Sequence, residues 1–112
     1  MLGVNINLRD IYRLWLKKSY RMELDAINLA FIFGSVARRF DSYGDCDLMI
    51  CCNSAPGLPS WNSLVSRNNY NTVKFEEEFG LPLSVIILTK DEYREDIPVL
   101  NRIKCGPKLY IY

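Results

Sequence analysis

Histidine is missing from this sequence of 112 residues, and that absence narrows the chemistry open to it. Without an imidazole, Ser-His-Asp and Cys-His mechanisms are excluded, and a conventional zinc site loses its commonest ligand. Net charge is almost absent too, because 14 lysines and arginines face 13 aspartates and glutamates, which leaves +1. The composition therefore gives no overall attraction to nucleic acid or membranes, and any anion site must be local.

Cysteines are few and do not follow a metal-binding or redox pattern. Cys46, Cys51, Cys52 and Cys105 include no Cys-x-x-Cys pair, so we predict buried, reduced thiols. No apolar run approaches the roughly 18 residues needed to cross a bilayer, and no charged segment followed by an apolar one opens the chain. We therefore expect a cytoplasmic protein that is neither secreted nor embedded in a membrane.

Helical and strand patterns alternate along the chain, as in an α/β protein. A hydrophobic content of 49% with 24% charged residues is ordinary for a globular protein, and we expect residues 1–112 to form one domain. Apolar stretches predict strands over residues 28–33, 48–52 and 83–88, with a terminal strand or tail over 108–112. Helices are predicted over residues 7–22 with Asn7 as N-cap, over 35–40, over 60–79, and beyond Pro98 until Gly106.

The predicted helix over residues 60–79 contains two stretches that differ from an ordinary amphipathic helix. Residues 66–72 are polar and poor helix formers, so a break in the helix over 60–79 is expected there. Glu76, Glu77 and Glu78 follow one another, and since a helix turns about 100° per residue they are interpreted as a solvated face, not as catalysts. Thr89 and Glu92 have the spacing of a capping box.

The pair Gly34-Ser35 directly follows an apolar strand and predicts an anion site. Where a strand gives way to a helix, backbone N–H groups lack partners, and a residue without Cβ lets a phosphate approach them closely. The Ser35 hydroxyl would add a donor, and Arg38 and Arg39 could supply positive charge to the same anion.

Asp45 and Asp47 stand one residue apart at the head of the next apolar strand. Because strand side chains alternate between faces, this spacing holds two carboxylates on the same side of a sheet. Such a pair of hard oxygen ligands suits a divalent cation.

The combination of Gly34-Ser35, Ala37-Arg38 and Asp45-Cys46-Asp47 resembles the signature of the DNA polymerase β-like nucleotidyltransferase superfamily, and in particular its minimal members. Arg39 departs from the pattern, since glycine is usual there. The order of predicted elements extends the resemblance over essentially the whole chain and implies a small mixed central sheet flanked by helices.

The resemblance also implies an activity: metal-dependent transfer of a nucleoside monophosphate from a nucleoside triphosphate to an acceptor hydroxyl. Asp45 and Asp47 would be the catalytic metal ligands for Mg²⁺ or Mn²⁺, and Gly34, Ser35, Arg38 and Arg39 would bind the nucleotide, with ATP the expected one. Minimal members often serve as antitoxins that adenylylate a helical partner of the HEPN type, so a protein partner or self-association is expected.

One position departs from the family in a way that bears on activity. Active members usually add a third carboxylate from the strand that corresponds to residues 83–88, and here the matching residue is Ser84, a weaker and neutral ligand. A catalytically weakened nucleotide-binding or protein-interaction module is therefore the alternative. A nucleic-acid-binding subunit is a third hypothesis, although no dense basic patch in the sequence favours it.

Overall fold

The computed structural model of the protein describes residues 7–38 and 44–112. Helices and strands alternate within these residues, as the sequence predicts. In chain order the elements are α1 (Leu8–Ser19), a 3₁₀ helix (Arg21–Ala26), β1 (Ile27–Phe33), α2 (Gly34–Ala37), β2 (Cys46–Cys52), α3 (Pro59–Phe79), β3 (Leu83–Thr89), α4 (Lys90–Tyr93), α5 (Pro98–Cys105) and β4 (Leu109–Tyr110).

The strands form one mixed sheet in the order β3-β2-β1-β4. β1 pairs antiparallel with β2 and with β4, whereas β2 and β3 run parallel. The parallel pair is connected by α3, the crossover that parallel strands require. The small mixed sheet expected from the sequence is thus confirmed. It brings the end of β1 together with the starts of β2 and β3.

Helices cover the two faces of the sheet, because both faces of its central strands are apolar. One face, called here the core face, carries Ile32 and Leu48 and packs against α1 and α3 in the main hydrophobic cluster. The opposite face carries Phe31 and Met49, which are fully buried against Leu100 of α5. We call it the α5 face.

Side chains at the helix ends explain where α1 and α4 begin. Asn7 is the N-cap of α1, since its Oδ1 accepts a hydrogen bond from the backbone N–H of Arg9 at 3.0 Å. Thr89 and Glu92 form the predicted capping box. α1 ends at Ser19, three residues before the predicted end at Met22, because the chain tightens into the 3₁₀ helix.

α3 is continuous from Pro59 to Phe79, so the predicted break within residues 66–72 is wrong. The polar residues there bond to α1 and its C-cap instead of interrupting the helix. The buried Asn71 side chain donates to the backbone oxygen of Ser19 at 3.0 Å, and the Tyr20 hydroxyl donates to Asn68 at 2.6 Å. Partners in the neighbouring helix therefore offset the low helix propensity of the asparagines.

The cysteine prediction holds for three residues and fails for one. Cys46, Cys51 and Cys52 are free and buried in β2, whereas Cys105, at the end of α5, is free but exposed. Only the sheet strand supplies the apolar surroundings that the prediction assumed. The three consecutive glutamates of α3 are exposed, as predicted.

The remaining boundaries follow the prediction closely. α5 begins at Pro98 and is capped at Gly106, and the terminal strand is the short β4. The predicted helix over residues 35–40 corresponds to α2, but residues 39 and 40 lie outside the described residues. None of the described helices combines the length and hydropathy that crossing a bilayer would demand.

Candidate functional site

The end of β1 turns sharply into α2 at Gly34. Its φ of +72° lies in the left-handed region, which a side chain disfavours. A Cβ at this position would also overlap the Asp47 carboxyl group. Two separate constraints therefore favour glycine at this position: the backbone angle and the close approach of the Asp47 carboxylate. The sequence predicted a close approach at Gly34 but not that Asp47 would be the approaching group.

Asp47 reaches Gly34 because β1 and β2 are paired in a fixed register. Phe33, the last residue of β1, lies opposite Asp47 in the antiparallel ladder. Alternation along β2 then places Asp47 on the α5 face together with Met49, whereas Cys46 and Leu48 point to the core face. The half-buried Asp47 carboxyl group thus stands at the junction of two strands and α2.

Asp45 and Asp47 approach each other as their spacing predicts. The two carboxyl groups lie close enough to interact, on the same side of the strand. Partial burial raises the pKa of Asp47 above its ordinary value, and the charge of Asp45 and a hydrogen bond with it raise the pKa further. A cation between the two carboxylates would stabilise the charged form of Asp47.

The predicted phosphate-binding residues lie around the same turn. Ser35 is half-buried in the first turn of α2, and Arg38, at its C-cap, is exposed. Arg39 lies outside the described residues. Arg9 of α1 fixes this turn, because its Nε donates to the Val36 carbonyl at 2.9 Å and its Nη2 to that of Ala37 at 3.5 Å.

Ser84 occupies the position that the resemblance assigns to a third carboxylate. The parallel register pairs Ser84 of β3 directly with Asp47 of β2, so the two side chains share the α5 face, and Ser84 is exposed. Among the described residues, no cluster of three or more histidine, cysteine, aspartate or glutamate side chains could hold a metal ion. The acidic ligand set in this part of the chain is the Asp45–Asp47 pair.

Cys46 lies between the two aspartates in sequence but does not share their chemistry. Burial, together with the nearby charges of Asp47 and Asp45, raises the pKa of its thiol to about 12. The group therefore stays protonated at neutral pH and is not a nucleophile.

A cleft of about 270 Å³ lies beside Gly34. It separates the end of β1 and α2 from α5, and Arg38 and Arg102 are among its lining residues. Sequence reasoning did not single out Arg102. No local signal marks it, since only the packing of α5 on the sheet brings it near Gly34.

Comparisons with known proteins agree on the fold. No protein-family model matches the sequence, and a comparison with curated proteins found no match. The solved structures that are similar include two that match most of this chain. One is a toxin-antitoxin with AMP-PNP, 13% identical, with a TM-score of 0.58 over 89% of this chain and 72% of that one. The other is a proposed nucleotidyltransferase from Sulfolobus solfataricus, 17% identical, with a TM-score of 0.51 over 98% of this chain and 90% of that one.

At these identities the similarity bears on architecture and not on activity. Both neighbours match most of the chain, so the likeness covers the mixed four-stranded sheet and the helices on its faces. The protein therefore has a nucleotidyltransferase fold.

Proposed function

We propose that this protein is a metal-dependent nucleotidyltransferase that moves a nucleoside monophosphate, in the first instance AMP, from a nucleoside triphosphate to an acceptor hydroxyl. The observation that carries the proposal is the close approach to Gly34 of Asp47, which also interacts with Asp45. It puts a carboxylate pair beside a turn that lacks a side chain, which a metal-bound triphosphate requires.

The residues present fit a divalent cation such as Mg²⁺ or Mn²⁺. Asp45 and Asp47 supply hard oxygen ligands, and the raised pKa of Asp47 reflects a charge that burial and its neighbour destabilise. When bound, the cation would neutralise charge on the phosphate oxygens during the displacement. The two aspartates would hold it, Gly34 would leave room for the phosphates, and Ser35 and Arg38 would donate hydrogen bonds to them, joined by Arg39.

A protein is the acceptor that we favour. The carboxylate pair lies at an open edge of the sheet, where Ser84 and Arg38 are exposed, so the described residues do not enclose a second substrate. One structural neighbour is a toxin-antitoxin crystallised with AMP-PNP, which supports a nucleotide and a protein partner together. In its specific form, the proposal is that residues 1–112 form one domain that acts as an antitoxin in the cytoplasm. Its target is a helical partner of the HEPN type, which it modifies.

Ser84 favours a second candidate function. A neutral hydroxyl beside Asp47 would hold a second cation weakly, and transfer depends on that cation more than binding does. The alternative is therefore a module that binds nucleotide and partner but turns over slowly or not at all.

Titration calorimetry with Mg²⁺ and each nucleoside triphosphate tests the binding site. Asp45→Asn and Asp47→Asn should each abolish magnesium-dependent binding, because each removes a charged ligand from a pair. Glu76→Gln, on the exposed surface of α3, is the matched control and should bind like the parent. Undiminished binding in both aspartate variants would reject the site.

A transfer assay separates the enzyme from the binding module. The protein is incubated with a labelled nucleoside triphosphate, Mg²⁺ and its co-purified partner, and label on protein is measured. Ser84→Asp should increase transfer by ~10-fold or more, which corresponds to about 1.4 kcal/mol of transition-state stabilisation. A Ser84→Asp protein that binds the triphosphate yet transfers no faster than the parent would favour the module.

A further inference from the structure

Arg38 and Arg102 enter the cleft beside Gly34 from different elements. Arg38 follows α2 at the end of β1, and Arg102 belongs to α5, which packs on the sheet through Leu100 and Ile103. Gly106, the C-cap of α5, also lines the cleft. A Cβ there would stand 3.2 Å from the Arg102 carbonyl oxygen and 4.0 Å from Nη2 of Arg38. The chain therefore keeps this position free of a side chain beside a guanidinium group.

The cleft is positively charged. None of its described lining residues is acidic, and the ion pairs of the described chain, Arg67–Glu23 and Lys74–Glu77, lie on other surfaces. Two arginines with no acidic residue among the described lining favour an anion in the cleft. Planar guanidinium groups match the oxygen pairs of phosphates particularly well.

The size of the cleft limits what the anion can be. About 270 Å³ lies below the 300–1,000 Å³ typical of pockets that enclose a drug-sized molecule, so the space suits a fragment of a nucleotide. Gly34 lines the cleft and is also the residue that the Asp47 carboxyl group approaches. An extended ligand could therefore contact both.

We propose that Arg102 is a further specificity-determining residue of this site, which contacts the terminal phosphates of a nucleoside triphosphate and distinguishes a triphosphate from shorter phosphates. The identity of the nucleotide rests on the proposed function, whereas the polyphosphate site rests on the cleft itself. Arg38 contacts the same phosphates from the α2 side. On release of pyrophosphate, both guanidinium groups would balance the charge that the leaving group gains.

Binding measurements at low ionic strength test this assignment with four probes: inorganic tripolyphosphate, and ATP, ADP and AMP with Mg²⁺. Arg102→Gln should weaken tripolyphosphate and ATP by about 10- to 100-fold, the range expected for losing hydrogen bonds to a charged group. AMP should change by less than about 3-fold, because it has no terminal phosphates. Arg102→Lys keeps the charge but removes the planar guanidinium group with its paired donors, so its losses of affinity should be intermediate.

Arg94→Gln is the matched control, since Arg94 is also an exposed arginine but does not line the cleft. It should bind all four probes like the parent. Equal losses for AMP and ATP in Arg102→Gln would overturn the assignment, because they would place the base or sugar in the cleft. Unchanged tripolyphosphate binding, or none by the parent protein, would overturn it as well.

The binding results for the Arg102 and Asp47 variants distinguish this inference from the proposed function. If Arg102 governs tripolyphosphate binding but Asp47→Asn leaves magnesium-dependent ATP binding intact, the metal-site proposal fails and the polyphosphate cleft stands. If Asp47→Asn abolishes ATP binding and Arg102→Gln has no effect, the reverse holds.

Discussion

At the scale of single residues, Asp47 combines a suitable position for a cation with a cost to the metal-free fold. Its pKa is raised in the folded protein, so the folded state holds the proton more tightly than the unfolded state does. The stability that this group contributes to the protein is fully present below about pH 4, and it is lost as the pH rises through the raised pKa. We expect Asp47→Asn to stabilise the metal-free protein at pH 7 by on the order of 1 kcal/mol, a value kept small because the group is partly exposed.

Urea unfolding of parent and variant at pH 4 and pH 7, without metal, measures this difference. The gain from Asp47→Asn should shrink at pH 4, where the parent carboxyl is protonated, and Glu76→Gln should give no comparable gain. Excess Mg²⁺ should reverse the order at pH 7, since only the parent keeps both ligands. A destabilised Asp47→Asn protein at pH 7 without metal would contradict the argument.

The cysteines provide a second test at the residue scale. Burial raises the pKa of both Cys46 and Cys51, whereas Cys105 is exposed at the end of α5. A thiol reagent should therefore modify one cysteine rapidly in the native protein and four after denaturation without reductant. Cys105→Ser should remove the rapid phase. Fewer than four thiols in the denatured protein, or stoichiometric zinc, would show that the cysteines have another role.

At the scale of elements, α3 depends on polar contacts that its sequence alone does not reveal. Asn71 is fully buried and donates to the Ser19 carbonyl at the end of α1. Asn71→Ala should leave that carbonyl without its partner and create a small void, which we expect to cost about 1–3 kcal/mol. Asn69→Ala, at an exposed position of the same helix, should change the free energy of unfolding by less than about 0.5 kcal/mol. Equal effects in urea unfolding would refute this role.

The elements that the sequence predicted well carry their signals locally. The Asn7 cap, the Thr89–Glu92 box and the apolar strands depend on neighbours a few residues away. The continuity of α3 and the early end of α1 depend on contacts between helices, so residues 66–72 looked like a break. Gly34 and the aspartates were predictable because their spacing and the strand register fix their positions, whereas Arg102 needed the docking of α5.

At the scale of the whole molecule, the candidate site is assembled from parts that are distant in sequence. β1 and α2 supply the turn at Gly34, β2 the aspartates, β3 Ser84 and α5 Arg102. A ligand that contacts several of these elements binds the folded chain and not the unfolded one. Its binding therefore stabilises the entire fold by mass action.

The corresponding prediction is a thermal shift that requires both the metal site and the nucleotide. With Mg²⁺, ATP at about 100 times its dissociation constant should stabilise the protein by about 2.7 kcal/mol. The shift should vanish in Asp47→Asn and persist in Glu76→Gln, as followed by calorimetry. A different cleft of about 560 Å³ lies between α1 and α3 and is the competing site, since its lining includes Lys18, Arg21, Arg67 and Lys74, although Glu77 and Glu78 line it too. If ATP binds there instead, Asp47→Asn will keep the full shift and Arg67→Gln will lose it, which would move the nucleotide away from the sheet edge.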